Sequence, residues 1–100
     1  MNFVLHGVAV SAGITIGHAH LVSSARLEAA HYEIPESAII EAVQLLFRLA
    51  NLKAEPTGAL SVAALLAKPP ELEGRRVCCV VSGGNVDPDV YRKLLASPAR

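Results

Sequence analysis

The sequence predicts an α/β fold: a small single layer with an N-terminal β-hairpin and a C-terminal βαβ unit, read as helix, strand, helix, strand, helix. Three observations carry this. "FVLHGVAVSAGITIGHAHLV" is rich in valine and isoleucine and is punctuated by Gly7, Gly13 and Gly17, as strands joined by turns are. "ESAIIEAVQLLFRLAN" repeats its polar residues at helical spacing. "RRVCCVVS" is an unbroken apolar run that follows a second helical pattern, the mark of a strand reached by a crossover.

Taken in order, the hairpin strands fall at about 3–10 and 14–22, joined at Ser11, Ala12 and Gly13, where glycine supplies any positive φ the loop needs. "SSARLEAAHYEIP" has no such regularity. Pro35 disfavours helix at Ile34, so a new element begins after it. That element is a helix with Ser37 as N-cap. Glu41, Gln44, Arg48 and Asn51 form a narrow wet stripe on it, and Ile39, Ile40, Val43, Leu46, Phe47 and Ala50 cover most of the remaining circumference.

"LKAE", residues 52–55, reads as a short strand ending at Pro56. "TGALSVAALLAK" reads as a second helix, capped by Thr57 and stopped by Pro69 and Pro70. The apolar run through Cys78 and Cys79 lacks alternation, which predicts a strand covered on both faces, with buried thiols. "DPDVYRKLL" closes the chain as a helix. Asp87 is its N-cap, Pro88 its first residue, and Arg92 and Lys93 lie near its end.

One hundred residues suffice for one small domain, taken as 1–100. Hydrophobic residues make up 52% and charged residues 18%, which excludes a disordered chain. Nine basic and nine acidic residues cancel, so no electrostatic footprint for nucleic acid exists, and little repulsion opposes self-association. The start, "MNFVLHGVAV", has no cationic region or long apolar segment. No signal peptide, no membrane span and a cytoplasmic location are expected. Adjacent cysteines are no disulfide framework.

"AIIEAVQLLFRLANLKAEPTGALSVAALLA" and "LEGRRVCCVVSGGNVDPDVYRKLL" give residues 37–100 a further meaning. They resemble the C-terminal end of the catalytic domain of threonine dehydratases, serine racemases and related fold-type II pyridoxal-phosphate enzymes. Residues 1–36, through "FVLHGVAVSAGITIGHAHLV" and "LEAAHYEIPE", resemble the N-terminus of the phosphoenolpyruvate–protein phosphotransferase of bacterial sugar uptake. The seam falls near Pro35, Glu36 and Ser37. Such a junction implies a chimeric chain, of recombined or artificial origin.

The dehydratase resemblance implies vestigial cofactor-binding positions at Ser82, facing the pyridine nitrogen, and Glu55, near the cofactor ring. It also implies a Schiff-base lysine and a glycine-rich phosphate loop, and neither Lys53 nor Lys68 stands in a matching context. No catalytic residue, no bound cofactor and no enzyme activity are therefore expected. The "SGGN" turn could cradle another phosphate, but Asp87 and Asp89 repel an anion there, which favours a plain tight turn.

The phosphotransferase resemblance gives His6, His18, His20 and His31 no phosphate-carrying role, because none stands in the matching motif. "HAH" puts His18 and His20 on one face of a strand. With no carboxylate or cysteine at a convincing spacing, strand-surface histidines and no metal site are the expectation. Ile40 and Phe47, on the widest apolar helix, are the candidate partner-binding residues. The functional expectation is a small non-catalytic binding protein, an inhibitor or antitoxin-like neutraliser of an unknown protein partner. The alternative is a truncated, inactive remnant of a dehydratase.

Overall fold

The computed structural model describes the backbone of residues 2–8, 16–23 and 26–98, and the side chains of residues 32–98. Its elements are β1 (Asn2–Val8), β2 (Ile16–Ser23), β3 (Arg26–Pro35), α1 (Glu36–Ala50), α2 (Leu60–Leu66), β4 (Arg76–Cys79) and α3 (Pro88–Ala96), with short 3₁₀ turns at Thr57–Ala59 and Pro70–Leu72. The class is the expected small mixed α/β fold. One four-stranded sheet runs in the order β3-β2-β1-β4. β1, β2 and β3 form an antiparallel meander, and β4 joins β1 in parallel. The turn expected at Ser11, Ala12 and Gly13 lies outside the described residues.

Three expectations about strands are corrected. The irregular stretch before Pro35 is β3, ten residues long and paired with β2 from Ile16↔Pro35 to Ser23↔Arg26. Its strand period is readable only in "HYEI", where exposed Glu33 separates half-buried Tyr32 from buried Ile34. Residues 52–55 are not a strand. They lie beside the turn after β4, where the Glu55 amide donates to the Gly83 carbonyl at 2.6 Å. β1 takes their place as the parallel partner of β4.

The third correction concerns β4, which is an edge strand covered on one face rather than two. Arg76 and Cys78 are exposed while Val77 and Cys79 are half-buried against the core. The buried thiol expected at Cys78 is thus exposed.

Two helix caps also differ. α1 begins at Glu36 with Pro35 as its N-cap, not Ser37, and no side chain caps it. Pro35 is extended, with φ −69° and ψ 154°, so the strand passes straight into the helix at the proline. Thr57 is the first residue of its 3₁₀ turn, and Pro56, already in helical conformation, precedes it. The expected cap of α3 is present: the Asp87 carboxylate accepts from the amides of Asp89 at 2.8 Å and Val90 at 3.3 Å. Such a cap stabilises by about 1 kcal/mol.

The core lies on one side of the sheet. Ala38, Ile39, Ala42, Val43 and Leu46 form the buried stripe of α1, at the spacing that keeps them on one helical face. They meet Ile34 from β3 and Leu60, Ala63 and Ala64 from α2, with Tyr32, Val77 and Cys79 of the sheet packed against them. The many alanines let α1 and α2 approach closely. α1 ends at Asn51, whose left-handed conformation (φ 54°) turns the chain, and the Leu52 amide closes back on the Leu46 carbonyl at 3.0 Å. α3 is tied to α1 by Gln44, placed in the wet stripe by its spacing but half-buried here. Its amide nitrogen donates to the carbonyls of Leu94 and Ser97 at 2.9 and 2.7 Å. Among the described residues, no helix is long and apolar enough to cross a membrane.

Candidate functional site

The turn after β4 and the start of the α2 region form one packed unit. Fully buried Ser61 donates its hydroxyl to the Val80 carbonyl at 2.8 Å and fixes the point where the chain leaves β4. Buried Gly58 then lies against the Ser82 carbonyl, so close that any side chain at 58 would overlap backbone oxygen. Gly83 adopts a positive φ of 74°, which L-residues avoid, and a side chain there would strike the Glu55 carboxylate. The glycines of "EPTG" and "SGGN" thus let two backbone segments touch.

Ser82 and Glu55, the two cofactor positions implied by resemblance, are brought to this one turn. Ser82 is exposed and Glu55 half-buried. The lysines are not brought with them. Lys53 lines a hollow against α3 with Val86, Pro88, Tyr91 and Arg92. Lys68 lies beyond the end of α2 remote from Gly58, beside Leu65, Pro69 and Pro70. The Asp87 carboxylate already takes the free amides at the start of α3, where an anion would have to bind. These residues do not fit pyridoxal phosphate, which needs a lysine amine and a phosphate cradle.

Cys79, on the core face, donates its thiol toward the Ser61 carbonyl at 3.8 Å. Burial pushes its pKa up, the neighbouring Cys78 charge adds to this, and the contact with Ser61 opposes it. Its neighbour Cys78 carries the accessible thiol.

Apolar side chains are also left uncovered along α1 and just after it. Ile40 is half-buried, and Phe47 is 48% exposed, with Leu49 and Leu52 exposed beside it in sequence. The Phe47 ring meets Tyr91 of α3 edge-on, centroids 6.2 Å apart at 78°, a favourable aromatic geometry. Tyr91 is buried, and among the described residues its hydroxyl finds no hydrogen-bond partner. Burial accordingly raises its pKa.

Sequence reasoning missed a tie across the other end of the core. The Tyr32 hydroxyl donates to the Glu71 carboxylate, and burial, that hydrogen bond and the nearby negative charge all raise the Tyr32 pKa. The alternation around Tyr32 was the only signal for it. The histidines stand in register on the meander: His6 opposite His20, His20 opposite His31, and His18 opposite Val8 and Glu33.

No known family model matches the chain. It is similar, over part of its length, to curated dehydratases and to an ammonia-lyase. The biosynthetic L-threonine dehydratase of Bacillus subtilis strain 168 is 44% identical over 54 residues, which is 54% of this chain and 13% of that protein. The L-threo-3-hydroxyaspartate ammonia-lyase of a Pseudomonas species is 34% identical over 62 residues, 62% of this chain and 19% of that protein. The beta-hydroxyaspartate dehydratase of Paracoccus denitrificans is 34% identical over 58 residues, 58% of this chain and 18% of that protein. The chain therefore spans less than a fifth of the length of these relatives.

Proposed function

We propose that this chain is a non-catalytic binding module that acts through protein–protein contact at the end of α1. The observation that carries the reading is Phe47. A large aromatic side chain is left 48% exposed on the same helix that supplies the core stripe. Exposed Leu49 and Leu52 follow it, and aromatic residues dominate the energetics of many interfaces. Inhibition or neutralisation of a partner protein is the concrete form of this proposal. A cytoplasmic location and the absence of nucleic-acid partners belong to it as well, as does the two-part origin with a phosphotransferase-like segment before Pro35. Self-association through the same surface is expected, since the formal charge is zero.

The test is Phe47→Glu, followed by circular dichroism, sedimentation equilibrium and capture experiments with the wild-type chain as control. Retained fold with lost assembly or lost partner capture supports the reading. Retained fold with unchanged assembly and capture overturns it.

A second reading, an inactive remnant of a dehydratase-like enzyme, is favoured by the similarity to threonine dehydratases and by the convergence of Ser82 and Glu55 on one turn. On this reading the packing survives and the chemistry does not. Titration with pyridoxal phosphate should give no lysine-bound absorbance band that withstands dialysis. A borohydride-fixed adduct mapping to Lys53 or Lys68 would overturn the non-catalytic assignment.

A further inference from the structure

The hollow that Lys53 lines against α3 has a volume of about 490 Å³, within the range usual for small-molecule sites. Val86, Pro88, Tyr91, Leu95 and Ala96 give it an apolar lining, and Lys53 and Arg92 are the charged members among the described residues. Phe47 does not line it. That ring borders a different hollow, with Gln44 and Arg48.

Local packing fixes the backbone on both sides. Lys53 belongs to the segment pressed against the turn after β4. A Cβ at Gly84 would stand 3.1 Å from the Lys53 carbonyl oxygen, and the Glu55 amide donates to the Gly83 carbonyl. Across the hollow, the Asp87 cap holds the start of α3, and the two hydrogen bonds from Gln44 hold its end. Buried Tyr91 is braced by its edge-on contact with Phe47. The walls thus stand without a ligand, and binding needs little ordering of the chain.

Charge selects the ligand. Two cations line the hollow and no acidic residue does. The acids that flank Pro88 are already engaged. Asp87 accepts from the amides of Asp89 and Val90, and Asp89 lies 3.7 Å from the Arg92 guanidinium. That separation is long for a charge-assisted hydrogen bond, and both side chains are exposed, so the pair is loose. Arg92 keeps donors to offer, in a planar fork that matches a carboxylate, and Lys53 adds a point charge. A bare inorganic anion would leave the apolar lining in water. A ligand with an apolar body and one carboxylate satisfies both parts.

We propose that this hollow is a binding site for a small organic carboxylate with an apolar body. Lys53 and Arg92 hold its head, and Val86, Tyr91 and Leu95 cover its body. The site goes beyond protein contact at Phe47 and does not depend on it.

Titration of the whole chain with 3-phenylpropionate at low salt, followed by backbone amide NMR shifts, tests this. The shifts should saturate and centre on Lys53, Val86 and α3. The neutral isostere 3-phenylpropanamide should bind more weakly by about fivefold or more, and Lys53→Gln and Arg92→Gln should each weaken binding of the acid about fivefold, as loss of a unit charge near 4 Å in water predicts. Asp89→Asn releases Arg92 and should tighten binding. Lys93→Gln, on the same helix but outside the lining, should leave affinity almost unchanged. All four substitutions fall at exposed positions, and the wild-type comparison of acid with amide needs none of them. No saturable shift in the wild type overturns the proposal. So do equal affinity for acid and amide, shifts centred on Phe47 or Lys68 instead, and equal losses for Lys93→Gln and Arg92→Gln.

Discussion

The Ser82 carbonyl oxygen lies directly against the Gly58 α-carbon, in the space that a side chain at 58 would occupy. Gly58→Ala must therefore move backbone rather than a side chain, which in packed interiors costs about 1–3 kcal/mol or more. Gly74 supplies the comparison. Its φ is +71° but nothing lies within 4 Å of the added carbon, so Gly74→Ala should cost only the left-handed penalty of about 1–2 kcal/mol. Urea unfolding should rank Gly58→Ala as the less stable variant. Equal midpoints would refute the close approach.

Gln44 holds two carbonyls at the end of α3. Gln44→Leu keeps the size and removes both hydrogen bonds, at about 1–3 kcal/mol for part-buried partners left unmade. The loss should be local. Hydrogen exchange should quicken at the α3 amides well before those of α1. Uniform acceleration along both helices would contradict the assignment.

Among the described residues the buried Tyr91 hydroxyl finds no hydrogen-bond partner. Removing such a group relieves a desolvation penalty, so Tyr91→Phe should be neutral or stabilising by up to about 1 kcal/mol while keeping the edge-on contact with Phe47. A clear loss of stability would reveal a hydrogen bond to that oxygen in solution.

The two cysteines should separate by reactivity. Near pH 8 a soluble thiol reagent should modify exposed Cys78 first, with Cys79 following slowly. Burial raises the Cys79 pKa, so folding favours the neutral thiol. That contribution is complete below the ordinary thiol pKa of about 8.5 and is lost as pH rises through the raised value. Urea midpoints of the wild type should accordingly fall more steeply above pH 8.5 than those of Cys79→Ala. Parallel curves would count against the cause.

The sequence revealed elements whose signal is local. Asp87 and Pro88 announce the start of α3, and the period of α1 places its buried stripe. It concealed whatever depends on partners far along the chain. β3 carries "RLEAAHYEIP", whose paired alanines and scattered glutamates give a weak strand pattern, and its pairing with β2 supplies what propensity does not. "LKAE" is the converse: a plausible strand whose neighbour in space is a turn, so it makes a single described ladder-like bond, Glu55 to Gly83. At the candidate site, Ser82 and Glu55 were legible through resemblance. Their meeting depends on Gly58, whose role is visible only once the two segments are seen to touch.

The parallel pairing of β1 with β4 has a consequence for the order of events on the ribosome. Asn2 meets Arg76, and Leu5 meets Cys79, so β1 must wait for about seventy further residues before its second neighbour exists. The meander and α1 can form early from contacts close in sequence, but the sheet closes only after a long loop is drawn in, a slow step in folding. Until then β1 offers an open edge. Nascent chains stalled before residue 76 should be the form most prone to pair with one another.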